Sequence, residues 1–142
     1  MIIKSAELTH ASDIAALTIE LGYVVNETET EEWLGAMLAS PNYGVFVGVT
    51  DDDVVCGWIV VEKRLSLETG FKAEISGLVT NTKFRRLGFG KQLVLACENW
   101  SHKHGLTTLV VSSNSQRQAS HLFYKSAGFL HKKTSHKYEK KV

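Results

Sequence analysis

The sequence predicts an α/β domain built on a three-layer mixed sheet, with the order β-α-α-β-β-β-α-β-α-β. Three observations lead there. Strand-like stretches follow one another between residues 45 and 80 with no helix between them, so the sheet begins antiparallel. A strand–helix–strand run then occupies residues 71–112, which calls for a parallel pair joined by a right-handed crossover. The chain has 142 residues, 44% of them hydrophobic, and no Gly/Ser/Pro-rich linker divides it, so a single domain spanning 1–142 is expected.

Ile2–Ala6 reads as a short first strand. His10–Gly22 reads as a helix, with Ile14, Leu17 and Leu21 at helical spacing and Gly22 as its stop. Thr30–Ala39 reads as a second helix, with Glu31 and Glu32 in its first turn, where the helix dipole favours acids. Pro41-Asn42-Tyr43-Gly44 ends it. Val45–Val49 and Val54–Val61 flank the turn Asp51-Asp52-Asp53 as an antiparallel hairpin. Leu65–Gly70 reads as a loop and Phe71–Thr80 as a third long strand. Gly88–His104 is a helix with Phe89, Leu93, Ala96, Cys97 and Trp100 on one stripe, stopped by Gly105. Leu106–Ser112 follows as a strand, Gln116–Ala127 as a helix ended by Gly128, and Phe129–Tyr138 as a weak last strand in a basic tail.

Composition excludes several classes. The charged fraction is 22%, near the globular average, which argues against disorder and coiled coil. No apolar run approaches the 18 or so residues of a membrane span, and the N-terminus does not read as a signal peptide, so a cytoplasmic location is the expectation. Cys56 and Cys97 are too few for a disulfide framework or a zinc site and read as small core residues. His102 and His104 are two apart on a helix and cannot share a metal, so no metal is expected. The net charge of +1 hides an asymmetry: residues 1–71 carry twelve acidic and three basic side chains, residues 72–142 three acidic and thirteen basic. Such a chain can hold an anion at one end and attract a cation at the other.

The informative segment is Leu78–Lys91. A strand passes through a polar loop, Asn81–Leu87, into a helix whose first turn holds Gly88 and Gly90 with Arg85, Arg86 and Lys91 around it. Unpaired backbone amides and the helix dipole make such a helix start a cradle for phosphate, and glycine lets the ligand come close. The dinucleotide fingerprint fails, because Leu93 stands where its third glycine would be and Leu109-Val110-Val111 where its acid would be. The P-loop fails too, because Gln92 follows Lys91.

The wider pattern is more specific. Arg85-Arg86-Leu87-Gly88-Phe89-Gly90 resembles the R/Q-x-x-G-x-G/A signature of the Gcn5-related N-acetyltransferases (GNAT). It follows Ala73-Glu74-Ile75-Ser76-Gly77-Leu78-Val79, a strand similar to theirs, and precedes His121–Phe129, similar to the family's late H-x-F-Y-x-x-x-G-F segment. The central hairpin and the first helix ending at Leu21-Gly22-Tyr23 are similar as well, so the resemblance covers nearly the whole chain. It implies a GNAT-like acyl-CoA N-acyltransferase fold and an enzyme that transfers acetyl from acetyl-CoA to an amine. Backbone amides of Arg85, Arg86, Leu87, Gly88, Phe89, Gly90 and Lys91 would hold the pyrophosphate. Leu78, Val79 and Thr80 would pair with the pantetheine arm as an added strand. Asn114 and Arg117 lie where the family contacts the cofactor, although its Asn-x-x-Ala spacing before the tyrosine is not kept: counted from Tyr124, Arg117 and Ser120 take those places.

Two proton transfers define the chemistry. A lysine-like amine has a pKa near 10.4, so only about 0.04% is nucleophilic at pH 7, a handicap of about 4.6 kcal/mol. A placed base removes that proton. Glu74, the only acid between Phe71 and Lys91, is the candidate, with Ser76 on its face by strand alternation to hold a relaying water. Tyr124, the family-like tyrosine, is the candidate acid for the departing thiolate. The acidic run Glu27, Glu29, Glu31 and Glu32 favours a small cationic amine as acceptor. Expected partners are that small molecule and, as an option, a second copy of the chain in a homodimer, with neither nucleic acid nor membrane. The alternatives are a protein lysine or N-terminal acetyltransferase and a non-catalytic acyl-CoA-binding module.

Overall fold

Five strands, β1 (Ile2–Ser5), β2 (Tyr43–Val49), β3 (Val55–Ser66), β4 (Gly70–Thr80) and β5 (Leu109–Val111), form one mixed sheet in the order β1-β2-β3-β4-β5. The structure is a computed structural model and describes residues 2–84, 88–114 and 116–142. The first four strands pair antiparallel and β4 pairs parallel with β5, as the strand order in the sequence requires. The α-helices are α1 (Ala11–Glu20), α2 (Glu27–Leu38), α3 (Phe89–Lys103) and α4 (Gln118–Ser126). The chain divides into two compact units, Met1–Val111 and Ser112–Val142, the second holding α4 and the tail.

Alternation along the central strands gives the first unit its layers. Val45, Val47 and Val49 of β2, with Val55, Val60 and Val79, pack against Ile14 and Leu17 of α1 and Leu34 of α2. The other parity carries small residues where α3 lies. A Cβ at Gly48 would meet Phe89 at 2.8 Å, and one at Gly44 would meet Trp100 at 2.7 Å. Leu93, Cys97, Ile59 and Val61 are fully buried on that side. Burying an aliphatic side chain of this size contributes about 1.5–3 kcal/mol. The three layers are thus α1/α2, sheet and α3.

Several boundaries differ from the expectation. α2 starts at Glu27 rather than Thr30, because the Asn26 side chain accepts the Glu29 N–H at 2.8 Å and caps the helix earlier. β3 runs on to Ser66, so the loop expected from Leu65 shrinks to the turn before Gly70. β5 holds only three residues, because its partner β4 bends away after Ile75. The last strand expected over Phe129–Tyr138 does not form. Leu130 and Tyr138 are 80% and 90% exposed, and the lysine- and histidine-rich residues between them leave neither strand face apolar.

Candidate active site

One residue shapes the centre of β4. Val60 pairs with Gly77 and Val61 with Ile75, so Ser76 is left over as a bulge. Bulges bend a strand and re-aim its side chains. Pairing with β5 covers Ala73, Glu74 and Ile75 and stops there. Beyond the bulge, Leu78, Val79 and Thr80 remain paired with Ile59, Trp58 and Gly57 of β3. The Asn81 N–H donates to the Cys56 carbonyl at 2.7 Å. By alternation along an antiparallel ladder, Val79 also bonds toward β3, while Leu78 and Thr80 direct their N–H and C=O groups to the side from which β5 has withdrawn. Among the described residues no strand pairs with them there.

The polar loop leads from this edge to α3. Asn81 Oδ1 accepts the Lys83 N–H at 2.8 Å, and Thr82 Oγ1 donates to Glu20 Oε1 of α1 at 3.2 Å. Arg85, Arg86 and Leu87, expected to line the cradle, lie outside the described residues. Gly88 is the N-cap of α3 with φ +83°, a left-handed conformation that an L side chain adopts only under strain. Among the described residues no side chain caps α3, and no acid lies in its first turn, in contrast to α2 with Asn26, Glu27 and Glu29. The leading amides of Phe89, Gly90 and Lys91 therefore have no partner within their helix. The Phe89 ring is buried beneath the sheet, so only its backbone serves the cradle.

Glu74 lies directly opposite Glu62, and the pair faces the α1/α2 side with Gly77 and Val79. Arg64 Nη1 donates to both Glu74 oxygens, at 2.9 and 2.7 Å. Tyr43 stands opposite Glu62 in the β2–β3 ladder, and the Glu62 charge, together with desolvation, pushes the Tyr43 phenol up from its usual range. Ser76 does not share Glu74's face as strict alternation requires: the bulge interrupts the period and leaves Ser76 exposed. Trp58 lies across Gly77, where an added Cβ would come within 2.7 Å of Cζ3. Its Nε1–H is buried without a partner among the described residues, a condition that costs about 1–3 kcal/mol.

In the second unit Asn114 organises the start of α4. Its side chain accepts the Gln116 N–H at 2.9 Å, and its carbonyl accepts the Arg117 N–H at 3.0 Å and contacts His121 Nε2 at 2.9 Å. Arg117 is the exposed N-cap of α4. Tyr124 packs edge-on against Phe123 and Phe129, with ring centroids 5.2 and 5.6 Å away. Burial pushes its phenol above the usual value, a rise that Arg117 opposes, so the hydroxyl keeps its proton at neutral pH.

Cys56 and Cys97 are buried, and burial pushes their thiols to about 11 and about 12, so both are inert core groups. Among the described residues no group of His, Cys, Asp or Glu could hold a metal ion, and no helix is long and apolar enough to cross a membrane.

The first unit thus brings Glu74, Leu78, Val79, Thr80, Gly88, Phe89, Gly90 and Lys91 onto one strand–loop–helix passage. Asn114, Arg117 and Tyr124 belong to the second unit. The sequence reading missed Arg64 and the bulge. Lys72 stands opposite Arg64, and the diagonal across the ladder brings Arg64 to Glu74.

Residues 13–129 match the model of the acetyltransferase (GNAT) family. An uncharacterized N-acetyltransferase of Bacillus subtilis (strain 168), YhdJ, is 38% identical over 61 residues; the match spans 43% of this chain and 43% of that protein, under half the length of that relative. Aminoglycoside 6'-N-acetyltransferase AAC(6')-Ih from Acinetobacter baumannii superimposes with a TM-score of 0.87 at 19% identity, over 99% of this chain and 98% of that one. AAC(6')-Iy, solved with the bisubstrate analogue CoA-S-monomethyl-acetylneamine, gives 0.88 at 19% identity over the same shares. A putative acetyltransferase from Agrobacterium tumefaciens gives 0.85 at 21% identity, over 99% of this chain and all of that one. The strand–bulge–loop–helix passage and the match over 13–129 lead to one conclusion: this chain belongs to the GNAT acetyltransferase family.

Proposed function

We propose that this chain is an acetyl-CoA-dependent N-acetyltransferase that moves an acetyl group to the primary amine of a small cationic acceptor, by direct attack in a ternary complex. The observation that carries the reading is the separation of β5 from β4 after Ile75, which leaves Leu78 and Thr80, among the described residues, without a strand partner on the side away from β3, in the strand that leads to the start of α3. The residues present fit an acyl-CoA. Leading amides of α3, a glycine N-cap and Lys91 suit a pyrophosphate, and a one-sided strand suits an amide-bearing arm. The family resemblance adds Arg85, Arg86 and Leu87 to the cradle and names Asn114 and Arg117 as further cofactor residues.

Each residue then has a task. Glu74, fixed by Arg64, accepts the acceptor's proton through water, leaving the nitrogen lone pair free to form the new N–C bond. A backbone N–H of β4 beyond the bulge stabilises the oxygen that gains charge. Tyr124, kept protonated by burial, gives its proton to the sulfur as the C–S bond breaks. AAC(6')-Iy carries a bisubstrate analogue that joins CoA to an aminoglycoside fragment, which makes hydroxylated polyamines the first acceptors to try.

The experiment is acetyl-CoA turnover over polyamines, aminoglycosides, amino acids and peptides, read by released thiol. Tyr124→Phe should lower kcat by about one to three orders of magnitude while melting temperature and coenzyme A affinity stay near wild type. Coenzyme A binding without thiol release for any amine would make the chain a binding module. A folded Tyr124→Phe protein with full kcat would remove the tyrosine from the mechanism.

A further inference from the structure

We propose that Arg64 is a positioning residue of this site: it holds the Glu74 carboxylate in place against the like charge of Glu62. The inference rests on the role given to Glu74 above. Glu62 and Glu74 stand directly opposite one another in the β3–β4 ladder, with side chains on the same face. Directly opposed like charges repel and would turn one another aside. Tyr43 stands opposite Glu62 on its other side, and Arg64 bonds both oxygens of Glu74. Glu74 lies within the stretch of β4 that is paired on both sides, one residue before its end at Ile75, and keeps only 15% of its side chain exposed, whereas Arg64 is 59% exposed and reaches in from the arm of the hairpin. The guanidinium therefore orients a largely covered carboxylate from outside, next to the bulge.

The contact has a distinctive form. A single nitrogen, Nη1, serves both carboxylate oxygens, rather than two nitrogens in a parallel fork. A point charge can reproduce that contact, so lysine is a workable replacement here, which it is not in fork-shaped pairs.

The test measures kcat, acetyl-CoA KM and melting temperature for Arg64→Gln, Arg64→Lys, Glu74→Gln and the double variant Arg64→Gln/Glu74→Gln, with Arg64→Met as a second neutral replacement. Misplacing a reacting group by about 1 Å can cost about 100-fold in rate, so Arg64→Gln and Arg64→Met should lose about 10- to 100-fold in kcat. Acetyl-CoA KM and melting temperature should stay near wild type, because Arg64 is mostly exposed. Arg64→Lys should recover most of the rate. In the Glu74→Gln background, Arg64→Gln should cost nothing more, since its effect passes through that carboxylate. The proposal is overturned if both neutral variants keep full kcat, if Arg64→Lys is as slow as Arg64→Gln, or if the two losses multiply. An impaired Glu74→Gln with a normal Arg64→Gln defeats this inference alone. A normal Glu74→Gln defeats the reading of Glu74 and the role of Arg64 with it.

Discussion

Ala73–Ile75 and Leu78–Thr80 belong to the same strand, β4, yet their neighbours differ. The first stretch lies between β3 and β5, and its inward residues Ala73 and Ile75 are 0% and 4% exposed. The second has β3 on one side and no strand on the other among the described residues. The bulged Ser76, followed by Gly77, separates them. The difference teaches that one strand can build the core and present a binding edge, provided a bulge stands where the duty changes. Truncating the inward side chains before the bulge, Ala73 and Ile75, should act on stability, and changes to the open backbone edge of Leu78–Thr80 on cofactor binding.

The largest expected effect on stability comes from Ile75→Ala. It removes a core side chain from the doubly paired stretch, and such truncations cost about 2–5 kcal/mol. Urea unfolding would read the loss, with coenzyme A affinity of the folded fraction unchanged. A loss well under that range would mean that the two stretches do not divide the work this way.

A smaller effect is expected from Gly77→Ala. Its Cβ would approach the Trp58 ring at 2.7 Å, so the indole must shift, and overpacking of this kind costs about 1–3 kcal/mol. Tryptophan fluorescence and acceptor KM should move together, because the ring lies on Glu74's face of the sheet. Unchanged fluorescence with unchanged KM would show that Gly77 does not serve to seat the ring.

Much of this contrast was legible in the sequence, and the missing parts share one physical origin. The three consecutive strands, the crossover through α3 and the glycine turn after Thr80 follow from periodicity and from Gly88 and Gly90. The early start of α2 was also encoded, as Asn26 followed three residues later by Glu29. The bulge was not, because Ile75-Ser76-Gly77 carries no sequence mark that fixes pairing, and strict alternation put Ser76 on the wrong face. The Arg64–Glu74 pair depends on that same register. The weak strand read over Phe129–Tyr138 falls in a tail whose lysines offer no apolar face.

The most direct test of the divided strand is residue-resolved amide hydrogen exchange with and without coenzyme A. In the free protein the amides of Ala73, bonded to the Thr108 carbonyl just before β5, and Val79, directed toward β3, should be protected, and those of Leu78 and Thr80 should exchange fast. Coenzyme A should then protect Leu78 and Thr80 and leave Ala73 and Val79 as they were. Leu78 and Thr80 amides already protected in the free protein, or still fast when coenzyme A is bound, would contradict the account.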